Sequence, residues 1–216
     1  MRLFFDESYC MTQEGTKEYI ATVRQLQEKY RDQIEILLGV EQDYHSLEST
    51  EPYDYVIGSV HYVEKDGHYL AVDDSKETQQ ENVAKFYGGD YYSFAEDYYA
   101  TVADVYRKTR CHIIGHFDLI TKFNEKRDLF DPQHPRYRAA AQKALEALLS
   151  CPATLEVNTS MVVRGKATEP YPAKEILSQW QAAGKPVLYS DDCHDKTKLL
   201  AGYPVYLAHI GAKEKE

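Results

Sequence analysis

Ligand-type side chains follow an apolar run in residues 187–195, which read VLYSDDCHD. In an extended backbone, Asp192 and His194 would lie on the same face, because side chains two residues apart point in the same direction. A carboxylate oxygen beside an imidazole nitrogen suits a divalent metal ion. The alternative is a polar turn that caps a helix beginning near Lys196, since Asp and Ser favour turns and N-caps.

The same pattern, an apolar run that ends in acidic or imidazole side chains, recurs along the chain. Glu41 follows the predicted strand at residues 34–40, His61 lies in a predicted strand at 54–63, and His116 lies in the run at 111–118. A single histidine in such a run is usually a hydrogen-bonded core or rim residue. Several strand ends of this kind in one parallel α/β sheet are expected to converge at its carboxyl edge.

Such a group of side chains predicts metal-dependent chemistry. Carboxylates can bridge two ions, and imidazoles can bind each ion from outside. A paired metal centre ionises a bound water and neutralises a phosphoryl oxygen. The predicted set consists of Glu41, His61, His116, Asp192 and His194.

The elements that must position these residues alternate between strand and helix. At least five predicted strands are separated by crossover helices, which indicates a parallel sheet or barrel. The 216 residues fit a single domain.

Composition excludes several classes of partner. The 25 basic and 35 acidic residues give a net charge of −10, which argues against binding to nucleic acid or to an anionic membrane. No apolar run approaches the roughly 20 residues that span a bilayer, and the first residues are too few and too acidic for a signal peptide. The four cysteines are scattered, so we expect free thiols and a cytoplasmic protein.

Motifs throughout the chain resemble the PHP-domain metalloenzymes, and within them the histidinol-phosphate phosphatases of the bacterial type. The resemblance is carried in order by residues 39–43, 58–61, 115–118, 156–160, Arg164, 170–172 and 190–194. It implies a distorted (β/α)7 TIM-like barrel that hydrolyses L-histidinol phosphate with up to three divalent metals, which are zinc, iron or manganese.

The resemblance also implies a role for each metal-site residue. Glu41 would be the bridging carboxylate, His61 and His116 would bind one metal, Asp192 a second, and His194 a third. Glu41, Asp192 and His194 would be the catalytic residues.

Two cations are the candidates for binding the substrate phosphate. On the matching position, Arg164 would hold the phosphate, for which a guanidinium is well shaped. Lys122 is a weaker candidate, and its expected role is that of a solvated surface lysine.

The chain departs from the family pattern at both ends. The His-x-His strand and the Asp-His pair that open the family do not occur before residues 4–7, and no closing strand is apparent towards Glu216. We therefore expect residues 1–216 to be a single, N-terminally truncated PHP domain, incomplete at the N-terminus and possibly at the last strand. Fewer than three metals and a homodimer through the open barrel edge are the corresponding expectations.

Three functions remain open at this point. The first is a phosphatase acting on the small molecule L-histidinol phosphate. The second is an inactive remnant that keeps a partial metal or phosphate site. The third is a PHP phosphoesterase acting on another phosphomonoester.

Overall fold

Strands and helices alternate in the computed structural model, which describes residues 10–211. The strands are β1 (Gly39–Asp43), β2 (Tyr55–Ser59), β3 (Tyr62–Lys65), β4 (His68–Ala71), β5 (Ile113–Ile114), β6 (Thr154–Asn158) and β7 (Val187–Ser190). The helices are α1 (Gln13–Tyr30), α2 (Lys76–Tyr87), α3 (Tyr91–Thr109), α4 (Pro135–Leu149), α5 (Ser160–Val163), α6 (Lys174–Ala182) and α7 (Tyr203–Ile210). Residues 1–9 and 212–216, the two ends at which the sequence departs from the family pattern, lie outside the described residues.

The main sheet is parallel. Its five strands are arranged in the order β1-β2-β5-β6-β7, while β3 and β4 form a separate antiparallel hairpin. Because all five strands run in one direction, their carboxyl ends open onto the same edge. The predicted α/β class with a parallel sheet is confirmed.

Helices α3 and α4 pack together on the sheet and supply much of its core. Asp90 caps α3 by accepting hydrogen bonds from the backbone N–H groups of Tyr92 and Ser93. The helix buries one continuous stripe of seven side chains, Phe94, Ala95, Tyr98, Tyr99, Val102, Val105 and Thr109. This helical spacing fixes the sheet from one side and leaves the carboxyl edge for polar residues.

The strand predicted at residues 34–40 was wrong at its start, because β1 begins only at Gly39. Ile34 and Leu37 are exposed. The backbone N–H of Leu38 donates to the carboxylate of Asp54 at 2.7 Å. Leu38 is therefore held to Asp54 twice, because its carbonyl also accepts from the backbone N–H of Asp54 at 2.7 Å.

The single strand predicted at residues 54–63 is divided into β2 and β3, with His61 between them. The backbone N–H of His61 donates to the Asp43 carboxylate at 2.9 Å. This contact replaces a strand hydrogen bond and turns the chain at the carboxyl end of β2.

Strand β7 ends at Ser190, so the expectation of extended backbone through Asp192 was wrong. Asp192 has a φ of 44°, in the left-handed region. The predicted helix near Lys196 is a single 3-10 turn at Lys196–Lys198, whose N-cap is Asp195. Among the helices in residues 10–211, none has the length and apolar character needed to cross a membrane.

Candidate metal centre

Glu41, His61 and His116 meet at the carboxyl edge of the sheet, and we call these three residues the inner cluster. Glu41 lies on β1, His61 follows β2, and His116 follows β5. Glu41 Oε1 lies 3.4 Å from His61 Nε2 and 3.0 Å from His116 Nε2. Each residue has a possible ligand atom within 4.8 Å of those of the other two.

Ser59 and Gly115 fix the carboxylate of Glu41. The hydroxyl of Ser59 donates to Glu41 Oε1 at 2.6 Å. A Cβ atom at position 115 would lie 2.6 Å from that hydroxyl oxygen. Position 115 therefore needs glycine so that Ser59 can reach Glu41.

Asp43 holds His61 by two contacts. Asp43 Oδ2 accepts from the backbone N–H of His61 at 2.9 Å and lies 3.2 Å from its Nδ1. A carboxylate on one ring nitrogen fixes the orientation of an imidazole and directs its other nitrogen, here Nε2, towards Glu41.

Glu156, on β6, holds the backbone at His116. Its Oε2 accepts from the backbone N–H of His116 at 2.6 Å, and its side chain is buried. Burial raises the pKa of Glu156 above its ordinary value. The buried Nδ1 of His116 has no hydrogen-bond partner among the described residues.

The three residues of the inner cluster shift one another's pKa values. Burial acts to lower the pKa of His61, but hydrogen bonds with Asp43 and Glu41 outweigh it and raise the pKa to about 10. Burial also acts to lower the pKa of His116, but the hydrogen bond with Glu41 outweighs it, so this pKa is raised as well. Burial would raise the pKa of Glu41, yet its two histidine partners hold it well below the ordinary value.

The inner cluster fits a divalent cation. Two imidazoles and one carboxylate are a common ligand set for zinc, with metal–ligand bonds of about 2.0–2.2 Å. Ligand atoms within 4.8 Å of one another can surround one ion at such distances. The side chain of Glu41 is 45% exposed, so the cluster is also open to a small molecule.

Asp192 and His194, which we call the outer pair, lie beyond the end of β7. His194 Nε2 is 3.0 Å from Asp192 Oδ1, and the His194 side chain is 76% exposed. The side-chain amide of Asn158 lies 3.5 Å from Asp192 Oδ2 and 3.3 Å from Glu156 Oε1. The outer pair is thus joined to the inner cluster by polar contacts and does not share its ligand positions.

The two phosphate candidates have different surroundings. Arg164 is exposed, and its guanidinium donates to the Asp192 carbonyl at 3.4 Å. Lys122 is only 23% exposed and is bound to Asp73, at 2.7 Å to the carbonyl and 3.0 Å to the carboxylate. The expectation that Lys122 is a solvated surface lysine was wrong, because it is held by an ion pair.

The sequence reasoning gave no role to three residues that support the inner cluster, namely Asp43, Ser59 and Glu156. Asp43 could have been found, because it lies two residues after Glu41 on the same strand face. The contacts that Ser59 and Glu156 make with the inner cluster depend on the register between neighbouring strands. In that register Glu41 pairs with Ile57, and Asp43 with Ser59.

The chain is similar to known proteins in sequence and in fold. The PHP domain family matches residues 4–160. A solved structure from Listeria monocytogenes, the candidate histidinol phosphatase hisK, superposes with a TM-score of 0.76 and 23% identity, covering 91% of this chain and 77% of that one. The likeness confirms the expected fold, a distorted TIM-like α/β architecture.

Three relatives carry related names. Proteins named "Probable histidinol-phosphatase" from Schizosaccharomyces pombe and Deinococcus radiodurans are 30% and 31% identical over 204 residues, which is 89% and 90% of this chain. A Bacillus subtilis protein named "Histidinol-phosphatase" is 26% identical over 214 residues. The chain spans 64%, 71% and 77% of the lengths of these relatives.

Proposed function

The chain belongs to the PHP domain family, and on that premise we propose that it hydrolyses L-histidinol phosphate to L-histidinol and phosphate. The observation that carries the proposal is the convergence of Glu41, His61 and His116 on one metal-sized space at the open edge of the sheet. The names of the three relatives support the choice of substrate.

The inner cluster would hold the cation through the Glu41 carboxylate and the two imidazoles. A divalent ion supplies Lewis acidity, which lowers the pKa of a bound water and neutralises charge on a phosphoryl oxygen. Asp43 and Glu156 orient His61 and His116, so the ligands need little rearrangement.

The outer pair and Arg164 would act on the substrate. The guanidinium of Arg164 would bind the phosphate oxygens and orient the ester for attack by water. His194, oriented by Asp192, would give a proton to the alcohol oxygen as its bond to phosphorus breaks. The proton is replaced from the attacking water, so the pair returns to its starting state.

The proposal also covers the identity of the metal, the cellular compartment and the biosynthetic role of the reaction. We propose zinc, iron or manganese at the inner cluster, in fewer than the three sites expected of the family. The reaction would serve histidine biosynthesis in the cytoplasm. The net charge of −10 supports a small phosphomonoester over a polynucleotide.

A phosphate-release assay tests the substrate. We expect the protein loaded with Mn²⁺ or Zn²⁺ to release phosphate from L-histidinol phosphate faster than from a nucleoside monophosphate or a phosphotyrosine peptide. A chelator should abolish the release. Equal rates for all three substrates, or release that a chelator leaves unchanged, would contradict the proposal.

A second candidate function is a metal-binding module without turnover. The exposed position of the outer pair favours it, because a general acid that is 76% exposed is weakly positioned in the substrate-free protein. In this case the protein would bind one or more ions per chain and release no phosphate from any of the three substrates.

A further inference from the structure

A groove of about 580 Å³ lies between α4 and α6. The loops that follow β5 and α5 form its rim. Its wall carries three aromatic rings and four carboxylates: Tyr99, Tyr137, Tyr171, Asp118, Glu125, Glu169 and Glu175. The volume is in the range of small-molecule sites.

Asp118 contributes an incompletely bonded carboxylate to this wall. The side chain is 3% exposed. Its Oδ2 accepts from the backbone N–H of Ala173 at 2.8 Å, whereas its Oδ1 has no hydrogen-bond partner among the described residues. A buried acceptor without a donor is costly, and an N–H group of a ligand in the groove would satisfy it.

The groove approaches the inner cluster through Asp118, which lines it. Asp118 follows His116 by two residues, and the two side chains are close enough for their charges to interact. Lys122 also lines the groove and is bound to Asp73, whose charge acts on His61. A molecule with its phosphate at the inner cluster would therefore meet the groove with its other end.

The charge on the groove wall favours a cation. Two of its three basic residues, Lys122 and Arg138, form ion pairs with Asp73 and Glu175, and the third is Arg127. The carboxylates of Asp118, Glu125 and Glu169 lie outside these two ion pairs and outnumber the Arg127 guanidinium. The faces of tyrosine rings also attract cations.

We propose that this groove is the subsite for the alcohol part of the substrate, that this part carries an amine or imidazole N–H, and that Asp118 determines the specificity. The inference rests on the proposed phosphatase function. Asp118 accepts a hydrogen bond from that N–H at the end of the substrate distant from the phosphate, so an alcohol without such a donor gains nothing from it.

The test is Asp118→Asn, which keeps one oxygen for the Ala173 N–H and places an amide N–H₂ where the ligand donor would lie. The ratio of kcat/KM for L-histidinol phosphate to that for p-nitrophenyl phosphate should fall at least about tenfold, mainly through KM. The control is Asp128→Asn, in the same loop but paired with Lys76 at the surface, which should keep the wild-type ratio. An unchanged ratio in Asp118→Asn, or an equal fall for both substrates, would overturn the proposal.

Binding of L-histidinol itself, which has no phosphate, separates this inference from the proposed function. We expect Asp118→Asn to weaken that binding at least about tenfold by NMR titration. The same loss in a protein that turns over no phosphate ester would sink the proposed function and support the groove. Equal binding to both proteins would overturn the groove.

If Asp118→Asn does not fold, Glu169→Gln provides the same comparison. Glu169 is exposed on the groove wall, so the variant is expected to fold. The specificity ratio should then fall about threefold, because a solvated carboxylate contributes less than a buried one. An unchanged ratio would count against the groove.

Discussion

The inner cluster and the outer pair lie at the same edge of the sheet but are held very differently. In the inner cluster, the side chains of His61 and His116 are 12% and 9% exposed, and each is positioned by a carboxylate. In the outer pair, the His194 side chain is 76% exposed, and its imidazole lies 3.0 Å from Asp192. Both groups contain the ligand types that the sequence predicted.

Residue type therefore predicts a ligand, whereas the neighbouring strands determine whether it is held in place. The inner cluster lies between β1, β2 and β5, which are adjacent in the sheet. The outer pair follows β7, at the end of the strand order. We therefore expect the inner cluster to dominate metal affinity and the outer pair to act mainly on turnover.

Glu41→Gln should give the largest loss of metal binding. The amide keeps the shape of the side chain but removes the negative charge that both imidazoles share. We expect metal affinity to fall by more than about a hundredfold, beyond the loss usual for residues that only orient ligands. Metal content per chain after dialysis, measured by mass spectrometry, checks this.

The matched variant is Asp192→Asn, in the outer pair. It should keep the ion at the inner cluster and lower phosphate release. If the two variants lose metal equally, the contrast between the two groups is wrong.

Glu156→Gln should give the next largest effect. An amide cannot accept from the His116 N–H and the Asn158 amide together, so one of these contacts is lost. We expect metal affinity to fall about 10- to 100-fold. Glu146→Gln is the control, because Glu146 is an exposed residue of α4 bonded to Gln142. A Glu156→Gln protein with wild-type affinity would remove Glu156 from the support of His116.

Metal binding should strengthen as pH rises. With a pKa of about 10, His61 carries a proton at pH 7 in the metal-free protein and must lose it to bind an ion. Affinity should rise about tenfold per pH unit for each proton released. Calorimetry in two buffers of different ionisation enthalpy should detect the release of at least about one proton at pH 7.

The stability of the metal-free protein should change in the opposite direction. The folded-state pKa of His61 lies above its ordinary value of 6.5. Its ion pairs therefore contribute fully to stability below about pH 6.5, and this contribution is lost as pH rises towards 10.

A metal affinity that is independent of pH, with no proton release, would show that His61 is not a ligand.

His194→Ala should have the smallest effect on metal binding and stability. The side chain is exposed and pairs with Asp192, so we expect Tm to change by less than about 2 °C. Metal content should stay at the wild-type value, while kcat should fall about a hundredfold or more through loss of the general acid. Unchanged kcat would favour the metal-binding module over the phosphatase.

The sequence predicted the parallel α/β sheet and the residues that form the inner cluster, because both follow from apolar runs that end in polar side chains. It did not predict the turn at His61, which depends on a long-range contact with Asp43. Nor did it predict the left-handed backbone at Asp192, since extended spacing was assumed beyond the end of β7. The sequence did not predict the support from Glu156, because this contact runs from β6 to His116, in the loop after β5.

Anomalous X-ray diffraction from crystals soaked in Mn²⁺ or Zn²⁺ would locate the ion itself. We predict a peak about 2.0–2.2 Å from the Glu41 carboxylate and from an imidazole nitrogen of both His61 and His116. The peak should be absent in Glu41→Gln. A protein whose metal peak lies elsewhere, with none at the inner cluster, would contradict the account.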